Sequence, residues 1–159
     1  MNNTTPAALR RIIYMSKASR SMSPELCTVL LLEARRNNER SGITGMLLYV
    51  VGDFLRYYGG RFIQVIEGPV ADVSMLLESI RRDTRHEQII MLCDELITTR
   101  DFPAWSMGFE LLPEEQYKQL PGWFRLDERF LDVMQLQASN APLKMLRSFY
   151  ALHLLNKKS

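Results

Sequence analysis

Cysteine and histidine are scarce in this chain of 159 residues, at two each. Cys27 and Cys93 lie far from one another and from any histidine at ligand spacing. A disulfide framework and a zinc site are therefore not expected, nor is any other metal site, and the cysteines read as buried free thiols. Charge of one sign is lacking too. A net charge of +2 is too small to advertise a nucleic-acid partner. The arginine pairs Arg10-Arg11, Arg35-Arg36 and Arg81-Arg82 are expected to be solvated ends of elements. No apolar run has the length of a membrane span. Met1 to Pro6 lacks the charged and apolar regions of a signal peptide, so a cytoplasmic location is expected. Ser-His-Asp, Cys-His, paired-carboxylate, HExxH and phosphate-loop patterns are missing, so no enzyme activity is expected.

What is present is a sizeable apolar fraction, 47%, enough for a real core. Leu9 to Met15 has the pattern of a central strand, with Ile12 and Tyr14 on one face and Ile13 and Met15 on the other. Ser23-Pro24-Glu25 is a helix start, and that helix is expected to stop near Asn37-Asn38, before Gly42. Ile43 to Val51 and the strand around Arg61 to Gly68 follow. A second helix closes at Arg81-Arg82. Strands are expected over Glu87 to Thr98 and Trp105 to Leu112. The order predicts an α+β, ferredoxin-like β-α-β-β-α-β-β sheet with both helices on one face. After Pro113, Leu126 to Gln137 and Pro142 to Leu155 read as amphipathic helices capping the other face. The expected division is a tail over 1–8, a main domain over 9–112 and a helical cap over 113–159.

Within this frame a few polar residues exceed what a core needs. Gln64 shares a strand face with Phe62 and Ile66, so a carboxamide sits where a hydrocarbon is expected. Burying it without partners costs about 1–3 kcal/mol. A backbone carbonyl, a water or a solvated face would satisfy it, and so would a polar ligand edge. Tyr14 needs a partner for its hydroxyl. Asn37 and Asn38 could cap the first helix, Arg85 and His86 could complement the end of the second, and Trp105 to Met107 could be packing residues. Together they form a set of amides, a phenol and a guanidinium. Such a set suits a planar heterocycle with carbonyl and N–H edges, such as a flavin's pyrimidine ring.

The motifs that carry these residues run Arg11-Ile12-Ile13-Tyr14, then Arg36-Asn37-Asn38 and Gly42-Ile43-Thr44-Gly45-Met46-Leu47-Leu48-Tyr49. They continue with Gly60-Arg61-Phe62-Ile63-Gln64-Val65-Ile66-Glu67-Gly68, then Arg82-Asp83 with Arg85-His86, then Phe102 and Trp105-Ser106-Met107-Gly108-Phe109. In this order they resemble the BLUF domain, the family of blue-light sensors using FAD. The resemblance covers about Leu9 to Leu112.

It implies noncovalent FAD between the two helices, with FMN or riboflavin as substitutes in recombinant protein. Tyr14 takes the place of the photoactive tyrosine that donates an electron to the excited flavin. Gln64 takes that of the glutamine between tyrosine and flavin. Asn38, Asn37, Arg85 and His86 match positions near the pyrimidine ring and the chain leading from it. Leu30 and Leu31 match residues packed on the ring, and Trp105, Ser106 and Met107 match the signal relay. The implied output is a contact with a downstream signalling protein in trans or a changed homo-oligomer, with no nucleic acid and no membrane involved. Two other readings stay open: a BLUF-like scaffold with impaired photochemistry, and a ferredoxin-like RNA-binding module, whose aromatic stacking pattern is missing.

One departure stands out. Val50 to Gly60 add roughly eight residues beyond the usual spacing, an even number that keeps strand faces in phase. Gly52-Asp53-Phe54-Leu55-Arg56 reads as a near-copy of Gly60-Arg61-Phe62-Ile63-Gln64. A lengthened hairpin is expected, with Tyr57 and Tyr58 near its tip and Gln64, not Arg56, facing the flavin.

Overall fold

In a computed structural model of the chain, the described residues are 8–19, 23–54, 57–104, 106–126 and 133–156. Residues 1–7 of the expected 1–8 tail, Leu55, Arg56, Trp105 and residues 127–132 of the first expected cap helix fall outside them. Strand β1 (Leu9–Ala18) is followed by α1 (Pro24–Ser41), β2 (Thr44–Phe54), β3 (Tyr57–Pro69), α2 (Val70–Arg82), β4 (His86–Ile97) and β5 (Gly108–Pro113). A one-turn helix α3 (Glu114–Tyr117) and the cap helices α4 (Val133–Ser139) and α5 (Ala141–Asn156) complete the order. The sheet runs β4-β1-β3-β2-β5, antiparallel except for the β2–β5 pair. This is the expected α+β arrangement.

The two-residue alternation of β1 divides the core. Ile13 and Met15 join Met46, Leu48, Ile63 and Val65 in a cluster closed by Tyr117, Leu143, Met145, Leu146 and Tyr150 of the cap. Ile12 and Tyr14 point the other way, into a cluster with Ile66, Val73 and Leu77 of α2. On that same face Cys27 and Leu31 of α1 pack with Leu47, Tyr49, Phe62 and Met107.

Local chemistry explains where α1 begins and ends. The Ser23 hydroxyl accepts from the Leu26 amide, and proline occupies the first turn. The helix does not stop at Asn37-Asn38 as expected. Nothing in Arg36 to Arg40 breaks it, and it runs to Ser41, where Gly42 adopts φ 66° and closes it in the left-handed conformation. Asn37 and Asn38 are thus interior helix residues, and their side chains are not caps.

The β2–β3 pairing extends from Thr44↔Glu67 to Phe54↔Tyr57, a long hairpin in which Leu47 opposes Gln64. Gly45 makes this approach feasible, because a Cβ there would overlap the Val65 carbonyl oxygen. β5 starts at Gly108, three residues later than expected. The carbonyls just before it are taken by side chains rather than by a strand ladder: Ser106 O accepts from Asn38 Nδ2 at 2.7 Å, and Met107 O from Arg35 Nε at 2.9 Å.

Arg35-Arg36 and Arg81-Arg82 are exposed, as expected, but the pair Arg10-Arg11 is not simply solvated. Arg10 forks onto Asp94 with two 2.8 Å bonds, and Arg11 is buried among Glu67, Glu95 and Asp101. Among the described residues, no helix is long and apolar enough to cross a membrane, and no cluster of metal-ligating side chains occurs.

Candidate functional site

Between α1 and α2, over the helix-covered face of the sheet, lies a cleft of about 180 Å³. Its apolar lining comes from Leu30 and Ala34 of α1, Leu47 and Phe62 of the sheet, and Leu76 and Ile80 of α2. Its polar lining comes from Tyr14, Asn37, Asn38, Gln64, Arg85 and His86, joined by Glu33, Ser79 and Asp83. The topology causes this convergence. Tyr14 and Gln64 oppose each other across β1 and β3, and Leu47 opposes Gln64 from β2. Three adjacent central strands therefore deliver side chains to one spot.

Gln64 is 7% exposed and Tyr14 4%. The Tyr14 hydroxyl donates to Gln64 Oε1, and Gln64 Nε2 donates to Met107 Sδ at 3.4 Å. The amide's local partners are thus two side chains. A thioether is a weak acceptor and an amide nitrogen carries two donors. The donor end of Gln64 therefore keeps capacity for a stronger acceptor in the cleft it lines. Burial pushes the Tyr14 phenol well above its ordinary range, with the negative charge of Asp83 adding to the shift. The phenol is a proton donor at any ordinary pH.

Asn38, 2% exposed, is tied to Ser106 O. Asn37, one position earlier, is exposed at the cleft's rim. His86 Nε2 donates to the Ile80 carbonyl at 2.7 Å, which in the neutral ring leaves Nδ1 to accept from the Ser16 hydroxyl, also at 2.7 Å. The His86 ring stands edge-on to Phe62, with centroids 6.2 Å apart. Arg85 Nε donates to Asp83 at 2.9 Å, and a second carboxylate, Glu33, lies 3.6 Å from its guanidinium. The Arg85 bond holds the Asp83 carboxyl below the usual carboxylate range.

Tyr14, Gln64, Asn37, Asn38, Leu30, Arg85 and His86 are therefore brought together. Leu31 faces the cluster under α1, next to Met107. Met107 is buried against Gln64, and Ser106 enters through its backbone. Trp105 lies outside the described residues. Sequence reasoning missed Glu33, Asp83, Arg35 and Ser16. Asp83 sits inside a recognised motif, but its pairing with Arg85 two residues on depends on the turn after α2. Arg35 was hidden among the arginine pairs.

The family model described as "Sensors of blue-light using FAD" matches residues 9–108. The chain is 33% identical over 105 residues to the photoactivated adenylate cyclase subunit beta of Euglena longa, covering 65% of this chain and 11% of that protein. It is 28% identical over 142 residues to the blue light- and temperature-regulated antirepressor BluF of Escherichia coli K12, covering 89% of this chain and 32% of that protein. The chain thus spans between a tenth and a third of the length of these curated relatives. Among solved structures, the dark-state structure of BlrB, described as a BLUF protein, matches with a TM-score of 0.64 at 30% identity. That match covers 92% of this chain and 98% of the other. The photo-activated state of BlsA matches with a TM-score of 0.61 at 26% identity, covering 87% and 94%.

Proposed function

The chain belongs to the BLUF family, the sensors of blue light using FAD, and from that membership we propose that it binds FAD in the α1–α2 cleft and acts as a light-operated hydrogen-bond switch. The observation that carries the reading is the Tyr14–Gln64–Met107 chain, a phenol and an amide that line the cleft and a thioether buried beside it, bonded in series. The donor set fits the flavin's polar edge. Asn38, Asn37 and Gln64 offer amides to carbonyl and N–H groups, Leu30 offers an apolar surface to the ring, and Arg85 and His86 line the way out. Bound flavin supplies the light-excited electron acceptor.

The residues do the rest. Tyr14 holds its phenolic proton against Gln64 Oε1, so that contact is the path along which the proton can move. Gln64 has ends of nearly equal size and opposite polarity, so rotation of its amide exchanges donor for acceptor at little steric cost. After rotation the amide oxygen faces Met107 Sδ, which has no proton to give. A contact with a donor and an acceptor becomes one between two acceptors. Met107 is then biased to leave, and with it the segment whose carbonyls hold Arg35 and Asn38. That displacement is the output, passed to a separate partner or to another copy of the chain.

The test is an absorption spectrum of the purified protein with flavin, before and after blue illumination. A yellow protein whose band shifts to longer wavelength and recovers in the dark is expected. A protein that stays colourless after incubation with FAD overturns the reading. A bound flavin that does not respond to light leaves only a scaffold role.

A further inference from the structure

Residues 98–107 join β4 to β5, and within five positions they pass from one core to the other. Phe102 is packed in the cluster under the cap, while Met107 is packed in the cluster under α1. A loop that crosses between faces needs something to fix its height. Arg100 ties the start of the loop to Thr44 and to the carbonyls of Gly42 and Glu67, and the fixing group further along is Glu67, which is fully buried. Its Oε1 accepts from the amides of Asp101 at 3.0 Å and Phe102 at 2.7 Å, and its Oε2 accepts from Arg11 Nε at 2.9 Å. Arg11 opposes Glu67 directly across β1 and β3, and it also reaches the Asp101 carboxylate. A carboxylate taking two backbone N–H bonds beside a buried guanidinium is a strong and directional anchor. Removing one partner of such a buried pair leaves the other charge uncompensated.

Resting on the switch reading above, we infer that the Glu67–Arg11 pair is a positioning element of the switch. It sets where the 98–107 loop presents Met107 Sδ to Gln64 and Ser106 O to Asn38. Glu67 is three residues from Gln64 on the same strand, so the anchor and the amide it serves share one rigid frame. Loosening the anchor moves the loop relative to the amide without touching the cleft's lining.

The test is Glu67→Gln in the full chain with flavin bound, reading the dark absorption maximum, the size of the light-induced shift and the dark recovery rate. A network residue of this kind changes coupling by about 0.5–2 kcal/mol, which converts to a change of about 2- to 30-fold in the recovery rate. Asp101→Asn removes the partly exposed arm of the same assembly. It is expected to move the rate in the same direction by less, and it decides the matter if Glu67→Gln does not fold. Arg147→Ala cuts the 2.7 Å contact that α5 makes with Asp101 from the half-exposed side and is expected to leave recovery within about twofold. A lowered melting temperature with unchanged spectrum and recovery in Glu67→Gln would reduce the pair to a structural role and overturn the inference. So would an Arg147→Ala effect as large as that of Glu67→Gln. A wild-type protein without any light-induced shift would instead overturn the switch reading itself.

Discussion

Tyr14 and Gln64 stand on adjacent central strands, and each is the other's closest polar partner. Two outcomes follow for single side chains. Tyr14→Phe deletes the only proton the phenol can offer to Gln64 Oε1 and is expected to abolish the reversible red shift while flavin stays bound, as difference spectroscopy would record. Gln64→Ala is expected to do the same, since it removes both polar ends of the amide. Titration gives a second handle. Burial pushes the Cys93 thiol up from 9.0 to about 12 and raises the Tyr14 phenol further. A raised native pKa means that the unfolded chain releases its proton first. Stability from these groups is complete below pH 9 and declines as pH rises through the range from 9 to 12. Asp83, bonded to Arg85, and Asp94, bonded to Arg10, are lowered. Their contribution is complete above the usual carboxylate range and fades as pH falls below about 4. Urea denaturation across pH should therefore show a plateau at neutral pH with both flanks descending.

At the scale of elements, the sequence carried much of this structure because its signals were local. Ser23-Pro24 marked the start of α1, and the alternation of Ile12 to Met15 assigned each side chain to its face. The shared face of Phe62, Gln64 and Ile66 was legible for the same reason. Helix ends and strand starts that depend on tertiary partners were not. α1 passes through Asn37-Asn38 because no residue there opposes a helix, and β5 starts late because Arg35 and Asn38 claim the carbonyls of Met107 and Ser106. Nor could periodicity show that Arg11 is buried, since its partners come from β3, β4 and the loop beyond. Gly42 gives a test at this scale. Gly42→Ala places a side chain at φ 66° and is expected to cost about 1 kcal/mol. Ser23→Ala at the other end is expected to cost about 1 kcal/mol as well. Both would be seen as lower denaturant midpoints with unchanged flavin spectra.

For the molecule as a whole, the sheet separates the α1–α2 cleft from the helical cap. Leu146 is fully buried among cap and sheet residues. Leu146→Ala is expected to lower stability by about 2–5 kcal/mol, measured by denaturant unfolding. Ligand linkage runs from the other side. If the cleft holds flavin only when folded, FAD at 100 times its dissociation constant adds about 2.7 kcal/mol, visible as a melting temperature that climbs with added cofactor. The long hairpin has its own consequence. Its extra pairs lie at the Phe54–Tyr57 end, away from Glu67, and β3 is already locked to β1 along its whole length from Arg61 to Pro69. Residues inserted in even numbers between the hairpin's arms would leave every inward side chain facing as before, while an odd insertion absorbed within the strand would turn Gln64 out of the cleft. The ribbon is thus a grafting point, where an epitope or a second binding module could be carried without turning any side chain of the cleft.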